Sequence, residues 1–210
     1  NKEKYIDNPK AWEETQRTMK KILDKLKLKY IEAENEAAFY GPKLDIQYKN
    51  VFGKEDTLIT VQIDFALPER FDLTYIDENS QPQRPMIVHR SSVGCLERTM
   101  AYILEKTQGN LPLWLSPVQV KVLTMTDRAA PFAQEVVRQL REQNIRVELD
   151  DSAETIGKKV RNAQLERVNY MVTIGDKELE KKVLAVRTRA GKVTFDVPVA
   201  TCISQLKEEI

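Results

Sequence analysis

Gly109-Asn110-Leu111-Pro112-Leu113-Trp114-Leu115-Ser116-Pro117 is the stretch on which the reading of the fold turns. A glycine and two prolines stop one pattern of side chains before a different one begins, which marks a domain boundary. C-terminal to it, Val118–Met125 reads as an apolar strand, Ala129–Gln143 as a helix, Ile145–Leu149 as a strand and Thr155–Arg167 as a helix. Tyr170–Ile174 is a short strand, Lys182–Arg187 and Lys192–Val197 form a hairpin, and Val199–Glu209 is a closing helix. Strands alternating with amphipathic helices predict an α/β domain with a parallel or mixed sheet.

N-terminal to the boundary the grammar differs. Asn8 and Pro9 open a helix, capped by the asparagine and continued to about Leu26 by apolar residues at helical spacing. Strands are expected at Tyr30–Ala33, Lys43–Tyr48, Thr57–Ala66, Leu73–Ile76 and Met86–Arg90, and a helix from Gly94 to about Lys106. Polar and apolar residues alternate with period 2 in the two central segments, as in an antiparallel sheet with one wet face. The expected organisation is therefore an α+β domain over 1–112 followed by an α/β domain over 117–210.

Composition bounds the function only loosely. A net charge of +1 over 210 residues carries no chain-wide signature of nucleic-acid binding, although a local basic surface is compatible with it. No apolar run approaches the roughly 20 residues that span a bilayer, and no secretory leader is expected. Cys95 and Cys202 are far apart and outside any CxxC spacing, which predicts two free thiols in a reducing compartment. The chain opens at Asn1, as expected of a fragment.

Polar groups stand out in the first half: Tyr40 and Lys43 around Gly41-Pro42, Thr60, Gln62 and Asp64 on one strand face, the single histidine His89, and Arg98 just after Gly94. Each alone has an ordinary explanation as a solvated or structural residue. In the second half, Asp151-x-x-Glu154 has the form of a capping box. Ile156, Val160 and Ala163 make the buried stripe of the following helix. Lys158, Lys159, Arg161 and Arg167 charge its exposed part, with Arg187 and Arg189 adding to them from a strand. A solvated basic face is the ordinary reading of such a set.

The combination is more specific. Ala37-Ala38-Phe39-Tyr40-Gly41-Pro42-Lys43, Thr60-Val61-Gln62-Ile63-Asp64-Phe65-Ala66-Leu67-Pro68-Glu69-Arg70-Phe71, Pro85-Met86-Ile87-Val88-His89-Arg90 and Gly94-Cys95-Leu96-Glu97-Arg98 follow one another in an order and spacing that resembles the threonyl-tRNA synthetases, a class IIa aminoacyl-tRNA synthetase family. The resemblance continues through Pro112-Leu113-Trp114-Leu115-Ser116-Pro117-Val118-Gln119 to the end of the chain. It implies the C-terminal part of a class II catalytic domain, with its antiparallel sheet and helices, followed by a mixed-sheet anticodon-binding domain.

The resemblance also implies roles. Arg98 matches the motif-3 arginine that lies on adenine and meets the ATP phosphates; Tyr40, Lys43 and Gln62 match the threonine and adenylate pocket, and Thr60 is a further candidate for it because it lies on the same strand face as Gln62. Arg98, Lys43 and Gln62 are the expected catalytic set. His89 matches one of three protein ligands of a zinc ion that selects threonine by its hydroxyl. Arg161, Arg167, Glu178 and Arg187 match anticodon contacts. Thr57, Cys95 and Ala153 depart from residues common at their positions.

The expected ligands are ATP with magnesium, zinc, threonine and tRNA(Thr), in a cytoplasmic enzyme that is a homodimer at full length and independent of membranes. The first two signature motifs and two zinc ligands of the family lie upstream of Asn1. This chain alone is thus expected to leave zinc loosely held and not to aminoacylate. The alternative is a non-catalytic tRNA-binding or regulatory module descended from a synthetase.

Overall fold

Helix α1, Pro9–Lys25, begins where its cap predicts: the Asn8 carboxamide oxygen accepts from the Ala11 N–H. The computed structural model describes residues 4–210, and the chain divides into two units, Asn1–Tyr102 and Ile103–Ile210.

In the first unit, β1 (Lys43–Lys49), β2 (Glu55–Asp64) and β5 (Ile87–Arg90) form an antiparallel sheet with β2 central. Helix α2 is Leu67–Arg70; β3 (Tyr75–Ile76) and β4 (Pro82–Gln83) make a small separate hairpin; α3 is Leu96–Thr107 and runs across the division between the units. Strand β2 stops at Asp64, short of the expected Ala66, because Asp64 Oδ1 accepts from the backbone N–H groups of Ala66 and Leu67 and turns the chain into α2. The expected strand at Tyr30–Ala33 is absent. Tyr30 bonds Asp24 and Glu32 pairs with Lys20, so the segment is tied to α1 rather than to a ladder, leaving Ile31 94% exposed. The apolar centre is small: Trp12 packs edge-on against Phe65 and Tyr5, and Ala11, Leu23 and Ala66 are buried. Helix α3 buries none of its residues fully, and Leu96 and Met100 face solvent.

The second unit contains β6 (Val120–Thr124), α4 (Ala130–Glu142), β7 (Val147–Asp150), α5 (Ile156–Leu165), β8 (Tyr170–Ile174), α6 (Asp176–Lys181), β9 (Val183–Thr188), β10 (Val193–Pro198) and α7 (Val199–Glu209). The sheet order is β10-β9-β8-β6-β7; β6 is parallel to both neighbours, and β8, β9 and β10 pair antiparallel. This is the mixed α/β sheet expected from the alternating pattern. Val120, Val122, Val172, Ile174 and Leu184 bury one face with residues of α4 and α7, while Leu123 and Met171 meet Ala163 of α5 on the other.

Three expectations change here. Helix α5 is capped by Thr155, not by a box at Asp151 and Glu154; Glu154 instead pairs with Lys158 one turn on. Ile156 and Val160 are only partly buried, while Ala163 is fully so. Lys159, expected on the exposed face, is 1% exposed: its ammonium donates to Thr124 O at 2.9 Å, Thr124 Oγ1 at 3.3 Å and Asp150 O at 3.1 Å. A buried ammonium persists when its protons find acceptors, and here those acceptors are at the carboxyl ends of two adjacent strands.

Candidate functional site

The register of the first sheet assembles the N-terminal candidates. Lys43 lies opposite Gln62, and Gln62 opposite His89, so three strands contribute one row across the sheet. Thr60 sits two residues from Gln62 and opposite Asp45, on the same face. Tyr40 reaches this face from the loop before β1 and donates its hydroxyl proton to Gln62 Oε1 at 2.5 Å. That bond occupies the amide oxygen and turns the amide nitrogen into the group offered outward. The loop can lie so close because Gly41 has no side chain: a Cβ there would fall 1.9 Å from Ile63 O.

His89 is 41% exposed at its side chain, whereas its partner Asp64 is 0% exposed, with Nε2 to Oδ2 at 3.0 Å. Burial pushes the Asp64 carboxyl up, but the N–H groups of Leu67 and Ala66 and the His89 ring together hold it below the usual range.

Arg98 joins from another direction. Strand β5 ends with Arg90 opposite Val61, so that edge of β2 has no strand partner further back. The chain from Ser91 into α3 fills the gap: Arg98 Nη1 donates to Thr57 O at 2.7 Å, and Gly94 packs where a Cβ would lie 2.0 Å from Leu58 O. Tyr40, Lys43, Thr60, Gln62 and His89 are thus gathered on one face, and Arg98 is docked on the same central strand nearer its start. The residue the sequence reading passed over is Asp45, whose carboxylate receives Lys43 and Thr60. Its signal was there in the i, i+2 spacing from Lys43.

The basic candidates of the second unit are spread out. Arg161 is exposed on α5. Arg187 on β9 lies opposite Met171, on the sheet face that α5 covers. Arg167 and Glu178 stand beyond opposite ends of β8. Arg167 adopts φ +58° and bonds Asn110 Oδ1 at 3.1 Å. The Glu178 carboxylate accepts from the Gly175 N–H at 3.0 Å, at the start of a helix, α6, that the sequence reading missed. Arg189 is not a free surface charge: it donates to Leu111 O and Arg167 O and so pins the linker.

Two domain families match. The tRNA synthetase class II core domain (G, H, P, S and T) matches residues 5–107, and the anticodon binding domain matches residues 119–209. A threonine–tRNA ligase of Clostridium perfringens (strain SM101 / Type A) is 53% identical over all 210 residues. The chain belongs to the threonyl-tRNA synthetase family. A threonine–tRNA ligase of Clostridium botulinum (strain Eklund 17B / Type B) is 57% identical, again over the whole chain. The chain spans about a third of the length of these curated threonyl-tRNA synthetase relatives, 33% of each. Among solved structures, the RNA binding domain of threonyl-tRNA synthetase from Cryptosporidium parvum Iowa II superposes with a TM-score of 0.89 at 35% identity, covering 98% of this chain and 52% of that one.

The threonyl-tRNA synthetase family implies a zinc ion, and the donors can be checked against it. Among the described residues no three His, Cys, Asp or Glu side chains converge as a metal site. His89 already has one ring nitrogen against Asp64, and Cys95 turns its thiol to Glu97. A structural or catalytic zinc takes three or four protein ligands, so the donor set in this chain does not by itself fit the ion.

Proposed function

We propose that residues 1–112 form the C-terminal part of the catalytic domain of a threonine–tRNA ligase and residues 117–210 its anticodon-binding domain. The parent enzyme activates threonine with ATP as the adenylate and transfers it to tRNA(Thr). The observation that carries this reading is the row Lys43–Gln62–His89, completed by Tyr40 and Thr60 on the same sheet face. In that reading Lys43, Gln62 and Arg98 are the catalytic groups, and Tyr40 and Thr60 complete the pocket.

Gln62 offers an N–H donor whose direction Tyr40 fixes, and Lys43 offers a cation. Arg98 brings a planar, permanently charged group that can lie on a base and offset phosphate charge together. ATP, carried with magnesium, would supply the adenylyl group, its α-phosphorus bonding to the threonine carboxylate as pyrophosphate leaves; the residues of this chain orient the nucleotide and neutralise its charge. His89 contributes one nitrogen to a zinc site whose remaining ligands belong to other parts of the parent. The parent is a cytoplasmic homodimer; among the described residues no helix is long and apolar enough to cross a membrane.

In the anticodon half, Arg161, Arg167 and Arg187 meet bases or phosphates and Glu178 reads a base edge, since single-stranded loops are recognised by stacking and by hydrogen bonds to base edges. A carboxylate repels phosphate and so adds no general affinity. Titrating the chain with cognate and non-cognate anticodon stem-loops at several salt concentrations tests this. Glu178→Ala is expected to lower cognate binding selectively with an unchanged salt slope. Arg161→Ala is expected to weaken both and to reduce the slope by about one. Equal losses for both RNAs in the Glu178 variant would refute the base-reading role. The chain alone is expected to yield no threonyl-tRNA with ATP, threonine and tRNA(Thr); measurable product would overturn the view that it needs the rest of the parent.

A further inference from the structure

We propose that Asp45 is a positioning residue that orders both Lys43 and Thr60 for substrate, an inference that rests on the reading of the sheet face given above. Its two carboxylate oxygens are used separately. Oδ2 accepts from Lys43 Nζ at 2.5 Å, and Oδ1 accepts from Thr60 Oγ1 at 2.8 Å. The Asp45 side chain is 14% exposed and that of Lys43 27%, so the pair is sheltered without being sealed from solvent. Asp45 lies opposite Thr60, one pleat along from the Lys43–Gln62 pair, and the ladder is interrupted just beyond it between Ile46 and Gln47. It is therefore the last group on this face before the register changes.

The arrangement sets the polarity of the face as well as its geometry. Lysine has a flexible four-carbon stem and three donors. Asp45 takes one donor and fixes the stem, so the remaining two point away from the carboxylate. Thr60 spends its hydroxyl proton on Asp45, which leaves its oxygen lone pairs as acceptors for an N–H or O–H group. Tyr40 does the converse to Gln62, occupying the amide oxygen and exposing a donor. The face thus presents donors at Lys43 and Gln62 and an acceptor at Thr60, suited to a ligand with an anionic group beside an amine or hydroxyl. Without the Asp45 charge, Lys43 is released and Thr60 is free to rotate.

Two measurements test the proposal. In the isolated chain, the Lys43 ammonium protons are expected to give a 1H–15N signal slowed in exchange by the Asp45 bond, and to lose it in Asp45→Asn. For function, this chain replaces the matching segment of the Clostridium perfringens relative, and threonine-dependent ATP–pyrophosphate exchange is followed. Asp45→Asn is expected to lower kcat about tenfold to a hundredfold, the scale of a misplaced reacting group, with Asp45→Glu recovering to within about threefold. Lys43→Met is expected to fall at least as far. An Asp45→Asn enzyme with unchanged kcat, beside a Lys43→Met enzyme that has lost activity, overturns the role of Asp45 alone. Unchanged kcat in both overturns the reading of the face itself. Should Asp45→Asn fail to fold, Thr60→Val takes its place: a several-fold fall in kcat in a folded protein supports the proposal, and no change overturns it.

Discussion

Asp64 and His89 form a carboxylate–imidazole pair across two strands, with Oδ2 and Nε2 3.0 Å apart and the acid wholly removed from solvent. Oδ1 of the same carboxylate caps α2 through Ala66 and Leu67, so the acid is held from two sides and cannot follow the ring if it moves. An acceptor at Nε2 favours the tautomer with its proton there and its lone pair at Nδ1.

One donor of fixed direction is not a metal site. Zinc titrated into the chain and followed by calorimetry is expected to bind more weakly than micromolar. A submicromolar 1:1 complex lost in His89→Ala would show that the chain holds a full ligand set after all.

Gly94→Ala tests how α3 is seated on β2. The new methyl would start 2.0 Å from Leu58 O, at a backbone angle of φ +72°. Strain plus displacement of a main-chain carbonyl is expected to cost about 2 kcal/mol or more. Gly191→Ala is the control: its φ is +91° but nothing lies within 4 Å of the added atom, so only the strain of about 1 kcal/mol remains. Denaturant melts should separate the two, and only the Gly94 variant should disturb the amide signals of Thr57 and Leu58.

Lys159→Met keeps the length of the buried side chain and removes its charge. Thr124 O and Asp150 O lose their shared donor. An unsatisfied buried acceptor costs about 1–3 kcal/mol, so a loss of about 3 kcal/mol is expected. It should appear as faster hydrogen exchange in β6 and β7, with the first unit unaffected. Unchanged protection would mean that water replaces the ammonium without penalty.

The two thiols should behave differently. Cys95 is exposed and Cys202 is buried, and burial pushes the Cys202 thiol up to about 11. Tyr170, through burial and the nearby Glu209 carboxylate, is pushed up to about 12. Both folded values lie above the unfolded ones, about 8.5 and 10. The stabilisation they bring is therefore complete below those unfolded values and is lost as pH rises toward the folded ones. Melting temperature is expected to hold from pH 7 to about 8.5 and fall between about 9 and 11, less steeply in Cys202→Ala. A thiol reagent at pH 8 should label one cysteine in the native chain and two after denaturation.

Much of this architecture could be read from periodicity. Tyr170–Ile174 and Val199–Glu209 were expected with the bounds they have, and α1, α4 and α5 to within a few residues. Those segments carry long apolar patterns that burial enforces. The failures have physical causes. Tyr30–Ala33 alternates like a strand, but a strand needs a neighbour, and its side chains are bound to α1 instead. Helix α6 is too short for a period and depends on the Glu178 carboxylate returning to Gly175. Charge alone could not separate Lys159 from Lys158, because the difference lies in which acceptors the fold places above α5. The candidate site residues were named through resemblance, whereas Asp45 was passed over because, although Lys43 stands two residues away on the same strand, the register that brings Thr60 opposite it is not written in the local sequence.

Between Thr57 and Ile59, β2 carries one residue more than β1: Ile46 faces Ile59 and Gln47 faces Thr57, so Leu58 has no partner. This bulge puts the hairpin tip at Asn50–Lys54 and the polar face out of phase. A change of loop length at the tip can be absorbed before it reaches Asp45 and Thr60, and homologues should vary freely there. One residue added or removed between Leu58 and Thr60 has no such buffer. It would turn Thr60 and Gln62 to the opposite side of the sheet and put them out of phase with the seat of Arg98 at Thr57 and Leu58. The chemistry of this half thus behaves as one unit of inheritance, kept whole or lost whole.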